Sequence, residues 1–428
     1  MLWSGAGRAM KPARLTIERL GPRGEGIARG WDGPVRIPYA VPGDDIRAMV
    51  DGDEGRLTDL ISASPDRVVP FCPYFETCGG CAVQSVAPDL QSRWKRDLVV
   101  AALEQAGLRV PVEPCIDAHG AGRRRAVFHA RHGADGRMAV GYMAARSHDL
   151  VAIDHCPILE PGMEGAVPAA RAIAAPLAGL GKPLDIAVTA TLDGLDVDLR
   201  GAGPLDDALE RKLARVAESL DLARVSNHGR IIVTYRPPRI AIGRALVVLP
   251  PGAFLQATAR GEAVLASLVL EAAQGAKRVA DLFSGVGAFA LRLAERADVL
   301  AVEENEAALK ACLAAAGAGL RGVRGERRDL HRRPLAPDEL NRFDAIVFDP
   351  PRAGAPDQSR ALARSTVPLV VGVSCNAQTF ARDAKVLVEG GYALERVTPV
   401  DQFRHSAHVE LVGAFRRARA KKKRSLLG

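Results

Sequence analysis

Apolar positions along this chain change their spacing several times. Between residues 12 and 64 they come in short runs, LTIERLG, GIARG, VRIPYAV and DDIRAMV, cut by Gly, Pro and Asp. Such punctuation predicts short strands joined by turns, and a set of them predicts a small barrel of the OB type. From Pro88 to Gly107, Leu90, Trp94, Leu98, Ala102 and Leu103 recur at helical spacing, which predicts a helix. Residues 120–250 return to strand-like pieces, RRRAVFHAR, MAVGYM and LDVDLR, with one or two helices among them. From about 251, strand and helix patterns alternate through RVADLF, FALRLAERA, VLAVEEN, EAALKACLAAAG, FDAIVFDPP, LVVGVSC and TFARDAKVLVEGG. That alternation predicts a parallel, doubly wound sheet. The predicted class is α/β, with a β-barrel domain at 1–65, an α+β central domain at 66–250 and a doubly wound domain at 251–428.

A length of 428 residues supports two or three such domains, and a 48% hydrophobic content is enough to give them cores. The formal charge of +8 favours an anionic partner, nucleic acid first and an acidic membrane surface second. No apolar run reaches the roughly 18 residues of a spanning helix, and MLWSGAGRAMKPAR lacks the apolar centre of a signal peptide. A cytoplasmic protein with no membrane role is expected, and nothing points to an obligate protein partner. The basic run RRARAKKKRS near the C-terminus reads as a solvated end that adds phosphate affinity.

Candidate chemistry concentrates at strand ends. DLFSGVGAFALRLA puts Gly285 and Gly287 in a turn between a strand and a helix, where backbone can approach a ligand. Asp281 closes that strand, and Glu303 ends the next one, placed to accept hydrogen bonds from ribose hydroxyls. A G-x-G alone is a weak signal. It gains weight from Asp349-Pro350-Pro351-Arg352, at the end of the apolar strand FDAIVF. Asp/Asn-Pro-Pro in that place marks methyltransferases that act on amino groups or bases of nucleic acids, and so points to S-adenosylmethionine rather than NAD. Cys375 ends LVVGVSC on the same rim. A free cysteine is most often a packing group, but a thiolate at a ligand rim is a strong nucleophile. Thiolate attack on carbon 6 of uracil makes carbon 5 reactive toward a sulfonium methyl. A base must then take the carbon-5 proton, and Glu410, beside His408 in a strand-like segment, is the candidate.

Seven cysteines, with no signal sequence, argue against a disulfide framework. Cys72, Cys78 and Cys81 have C-x5-C-x2-C spacing, and Cys156 stands far downstream. Four thiolates suit zinc or a 4Fe–4S cluster, and spacing leaves both open. Cys115 and Cys312 are expected to be spare. In GRRRAVFHARH, Arg123, Arg124 and Arg125 are candidate phosphate ligands and Phe128 a candidate base-stacking residue, against the plainer reading of a strand with a charged face.

Together these residues resemble the RNA 5-methyluridine (uracil-5) methyltransferase family, in its 23S rRNA type, over nearly the whole chain. GEGIAR and PYAVPGDDI resemble its TRAM domain, an OB-like RNA-binding module. CPYFETCGGCAVQ resembles its iron–sulfur motif. FLQ, DLFSGVGAF, VEEN, DPPR, SCN and HVE follow in the order of its catalytic set. The resemblance implies a Rossmann-like class I methyltransferase domain, S-adenosylmethionine as methyl donor, and a 4Fe–4S cluster on Cys72, Cys78, Cys81 and Cys156. It implies Cys375 as nucleophile, Glu410 as general base and Asp349 in the catalytic set. Gln256, Phe283, Glu303, Asp329 and Asp349 become cofactor contacts, and Arg123, Arg125 and Phe128 RNA contacts. Three positions depart from the family pattern: Ala377 replaces the proline of SCNP, Arg404 the proline after Phe403, and Thr258 the asparagine two residues after Gln256. The expected partner is RNA, with 23S rRNA ahead of tRNA because bacterial tRNA-type enzymes generally lack both the barrel and the cysteine set. A non-catalytic RNA-binding iron–sulfur protein is the alternative of another class, and intact Cys375, Glu410 and Asp349 oppose it. A DNA cytosine-5 methyltransferase, with its Pro-Cys context, fits less well.

Overall fold

The computed structural model describes residues 10–132, 138–317 and 319–417. Most of the basic C-terminal run lies outside them. Lys11–Leu20 (β1), Gly26–Arg29 (β2), Pro34–Ile37 (β3), Asp45–Asp51 (β4) and Glu54–Ser62 (β5) close into a barrel of order β1-β2-β3-β5-β4. Its interior is filled by Leu15, Ile17, Val35, Ile37 and Ile46, alternating with outward polar residues as a half-buried strand requires. The expected OB-type barrel is present.

Pro88–Gln105 (α1) starts with proline at its first turn, where the missing N–H costs nothing. A two-residue strand, Ile116–Asp117 (β6), follows. Both fall within 66–250, yet they pack on the C-terminal sheet. Val99, Ala102 and Leu103 of α1 share a core with Leu282, Phe348 and Phe415.

The central sheet has seven strands. They are Arg125–His132 (β7), Met138–Met143 (β8) and Leu150–Ala152 (β9), then, after the helix Ala166–Ala174 (α2), Leu184–Thr191 (β10) and Gly194–Arg200 (β11). After Asp207–Ser219 (α3) come Arg224–Asn227 (β12) and Arg230–Thr234 (β13). The order is β13-β12-β11-β10-β7-β8-β9. Strict alternation along β10, with Leu184, Ile186 and Val188 buried, seats one face on α2 and α3. The hairpin Arg239–Ile242 (β14) and Ala245–Val248 (β15) leads to the last unit.

That unit runs Ala259–Ala272 (α4), Arg278–Leu282 (β16), Ala290–Leu293 (α5), Asp298–Glu303 (β17), Glu306–Ala315 (α6), Val323–Arg327 (β18), Pro337–Leu340 (α7), Ala345–Phe348 (β19), Pro356–Arg364 (α8), Leu369–Ser374 (β20), Ala377–Glu389 (α9), Tyr392–Asp401 (β21) and Glu410–Arg417 (β22). The sheet order is β18-β17-β16-β19-β20-β22-β21-β6. Strands β18 to β20 are parallel and β22 is antiparallel to β20. Strands β19 and β20 are buried at every position, as a sheet covered on both faces must be. The strand order reverses between β16 and β19, the switch point at which such sheets open a crevice at the strands' C-terminal ends. Among the described residues no helix is long and apolar enough to cross a membrane.

Candidate active site

The crevice collects residues from five strands. Phe283 follows β16, Glu303 ends β17, Asp329 follows β18, Asp349 follows β19 and Cys375 follows β20. Because β22 runs the other way, its first residue, Glu410, lies on the same rim. The ladder pairs Val373 with Val412 and Ser374 with Leu411, so the next pair in register is Cys375 and Glu410. The rim therefore brings together thiol, carboxylate and the Asp349 carboxylate. Gln256, from the segment before α4, closes the group: its Nε2 donates to Asp349 Oδ2 at 3.2 Å.

Each of these groups is displaced from its ordinary protonation range. Burial, and then the Asp349 charge, push the Glu410 carboxyl up to about 8, against a lowering by the Gln402 amide and Arg352. Loss of water at the bottom of the crevice pushes Asp349 up to about 7. Burial and the carboxylates of Glu410 and Asp349 push the half-buried Cys375 thiol up to about 11, and Arg352 pulls it down. Two carboxyl groups tuned near neutrality beside a thiol can exchange protons at working pH.

The glycine turn next to them is strained and polar. Phe283 has φ +63°, Gly285 +53° and Gly287 +96°. A side chain at Gly287 would place its Cβ 2.6 Å from Cys312 Sγ, so the turn needs glycine there. Glu303 holds the turn: its Oε2 accepts from Gly285 N–H at 2.9 Å and its Oε1 from Asn305 N–H at 2.8 Å. Asp281 is wholly buried with the Ala290 N–H facing its carboxyl, and the buried Ser284 hydroxyl has no partner. Burial raises the Asp281 carboxyl well above its usual range. An orphaned hydroxyl at a glycine turn is what a polar ligand would satisfy. Asp329 Oδ1 accepts from His331 and Arg332 N–H at 2.9 and 3.1 Å, and the His331 ring lies 5.4 Å from that of Phe283.

Cys72, Cys78, Cys81 and Cys156 line one cavity of about 100 Å³ with Tyr142, Gln84 and Arg123. That is room for several atoms. Gly79 N–H donates to Met143 O at 2.9 Å, and a Cβ on Gly79 would clash with that oxygen, so the C-G-G-C turn is held against β8. Gln84, which also lines the cavity, accepts from Cys72 N–H at 3.2 Å with its Oε1 and has its amide beside the Cys81 thiol. Burial, with charge on Cys156, Cys78 and Cys72 nearby, pushes the Cys81 thiol up to about 11 against a lowering by the Gln84 amide. Among the described residues no three His, Cys, Asp or Glu side chains are disposed to hold a single metal ion.

The arginine strand differs from expectation. Phe128 is fully buried and pairs in register with Ile186, with its ring against Tyr142 at 5.4 Å. It has no free face for a base, because alternation along β7 turns it into the core. Arg124 is also buried: its Nε donates to Gln256 O at 3.1 Å and it pairs with Glu262 at 2.5 Å. Arg125 bonds Leu255 O at 3.1 Å and lies over the exposed Phe254 ring. Arg123 lies over Phe403. The departures from the family pattern have structural roles. Ala377 is the first residue of α9, capped by Asn376, whose side chain accepts from Gln378 and Thr379 N–H. Thr258 caps α4 and donates to Ala118 O at 2.7 Å. Arg404 pairs with Asp117. Gln402, which no sequence signal singled out, lies wholly buried between Gln256 and Glu410.

Residues 323–418 match the family described as tRNA (Uracil-5-)-methyltransferase. Uncharacterized RNA methyltransferases of Brucella suis biovar 1 and Caulobacter vibrioides are each 44% identical to this chain, covering 96% and 94% of it and 99% of their own lengths. The 23S rRNA (uracil(1939)-C(5))-methyltransferase of Chromohalobacter salexigens is 34% identical, over 92% of this chain and 87% of that protein. Among solved structures, Pyrococcus abyssi tRNA (uracil-54, C5)-methyltransferase in complex with S-adenosyl-L-homocysteine superposes with a TM-score of 0.73. It covers 94% of this chain and 99% of that one at 24% identity, a likeness of fold.

Proposed function

The chain belongs to the RNA uracil-5-methyltransferase family, and from that premise we propose that it methylates carbon 5 of one uridine in 23S rRNA. The observation that carries the mechanism is the register placing Cys375 opposite Glu410, beside Asp349. The Cys375 thiolate adds to carbon 6 of a flipped-out uracil, giving an enolate. Phe283, Glu303, Asp329, Asp349 and Gln256, around the glycine turn, would hold S-adenosylmethionine, whose sulfonium would supply an electrophilic methyl and leave as the neutral thioether. Carbon 5 takes that methyl, Glu410 removes the carbon-5 proton, and the electron pair of that C–H bond expels the thiolate. The orphaned hydroxyl of Ser284 supports a polar ligand at the turn.

The division proposed is barrel 1–65, central domain 66–250 and methyltransferase domain 251–428, with α1 and β6 docked on the last. The barrel serves as the TRAM-type RNA module. Arg123 and Arg125 face the RNA, and Phe254, exposed beneath Arg125 and two residues before Gln256, takes the stacking role that buried Phe128 cannot. The rRNA choice rests on the Chromohalobacter relative. The barrel-bearing architecture does not separate the substrates, since a tRNA enzyme shares the fold along the chain. Mapping 5-methyluridine in a deletion strain is expected to show loss at one 23S rRNA position. Loss in tRNA alone would overturn the assignment.

The four cysteines around one cavity support a 4Fe–4S cluster that ties the 72–84 loop to Cys156, with the Gln84 amide beside the Cys81 sulfur. Protein purified without oxygen is expected to be brown, with about four iron and four sulfide per chain. Stoichiometric zinc without iron rejects the cluster.

A further inference from the structure

Gln402 is fully buried just past β21 and makes three hydrogen bonds inside the crevice. Its Oε1 accepts from the backbone N–H of Thr258 at 3.3 Å. That N–H can only donate, so the orientation of the amide is fixed and Nε2 must face the other side. There it donates to Gln256 Oε1 at 2.6 Å and to Glu410 Oε1 at 3.1 Å. Gln256 therefore accepts with its oxygen and presents Nε2 to Asp349. One amide sets the orientation of Gln256 and the donor that faces Glu410.

The surroundings hold that amide still. Gly261 leaves the slot it fills: a Cβ there would lie 2.5 Å from Gln402 Oε1. The wholly buried Lys95 donates to Asp401 Oδ1 at 2.6 Å and to Phe403 O at 3.0 Å, so α1 holds the Asp401 side chain and the Phe403 backbone on either side of Gln402.

We propose that Gln402 is a positioning residue of the reaction, which holds one oxygen of Glu410 as an acceptor and so fixes the oxygen and the pH at which Glu410 takes the carbon-5 proton. The inference rests on the reading of Glu410 as base. A donated hydrogen bond favours the charged carboxylate, so the Gln402 amide counters the burial that keeps Glu410 protonated. The other charged and titratable groups facing Glu410 are Cys375 from the end of β20 and Asp349 and Arg352 from the loop after β19. His408 lies beside Arg352.

Gln402→Met keeps the length and removes the donor. Single-turnover release of methylated RNA from the covalent adduct, which follows removal of the carbon-5 proton, is measured from pH 6 to 9.5. The ascending limb is expected to move upward by about half to one unit, a loss of roughly three- to tenfold at pH 7 that is recovered at high pH, with the KM for RNA within about twofold of wild type. An unshifted limb, with the rate lowered equally at every pH or not at all, overturns the proposal. If Gln402→Met fails to fold, Gly261→Ala crowds the same amide and is expected to shift the limb in the same direction. Glu410→Gln separates the two ideas. If it is fully active, the base reading itself fails; if it stalls while Gln402→Met leaves the limb unmoved, only the role of Gln402 fails.

Discussion

Cys375→Ala is expected to lower methyl transfer by at least about 10⁴-fold while the affinity for S-adenosylmethionine stays within about twofold of wild type. The loss is chemical. Carbon 5 of uracil is a poor nucleophile until a bond to carbon 6 turns the ring into an enolate, and on this rim the atom positioned to form that bond is the Cys375 sulfur. The cofactor affinity survives because its proposed contacts stand on other strands. The glycine turn follows β16 and is held by Glu303 of β17, and Asp349 follows β19 and is held by Gln256. The fold survives because Cys375 is half-buried and lies past the last paired residue of β20, so truncation removes little packing. Burial and two carboxylates hold the thiol near 11. Its proton must therefore leave as the substrate binds, and Asp349 and Glu410 are the adjacent groups tuned near neutrality. Radiolabelled methyl transfer and calorimetric titration with the cofactor check the two halves. A rate above about a tenth of wild type would remove the covalent step from the mechanism.

The parts of this site legible in the sequence follow general rules of open α/β sheets. Glu303, Asp349 and Cys375 are legible because each closes an apolar run, and apolar runs alternating with helices put their ends on one rim, whereas Asp281 lies inside β16. What escaped is long-range or without periodicity. Strand β5 is exposed along most of its outer half, so it lacks the alternation that marks a strand. The short strand β6 exists through two pairs with Val400 and Asp401, nearly three hundred residues away. Phe128 looked open because arginines precede it, yet the period of two turns it inward. Arg124 looked like a phosphate ligand, but its partner Glu262 lies in a helix far along the chain. Gln402 carries no sequence signal, since an amide has no hydrophobic period and its meaning comes from Gln256, Thr258 and Glu410 converging on it. The replacement of proline by Ala377 loses little, because the first helical position accepts either residue and Asn376 supplies the cap.

Glu410→Gln is expected to trap a covalent enzyme–RNA adduct already carrying the methyl group, with turnover down by on the order of 10² to 10⁴. The substitution keeps the volume of a buried side chain, and its carbonyl oxygen can still accept from the Gln402 amide, so the crevice keeps its shape. What it cannot do is take a proton from carbon 5. Addition of Cys375 to carbon 6 and methylation at carbon 5 precede that step, so both proceed. Elimination then stalls with carbon 5 bearing both hydrogen and methyl, and the carbon–sulfur bond persists. The adduct should survive denaturing electrophoresis as a slow band that contains label from both RNA and methyl donor. Adding Cys375→Ala to the same protein should erase it, which ties the bond to that sulfur. A fully active variant would remove Glu410 from the mechanism. A dead variant with no adduct would place its role before the addition, as the group that receives the thiol's proton. The raised protonation range of Glu410 fits either role, and the labelled band decides between them.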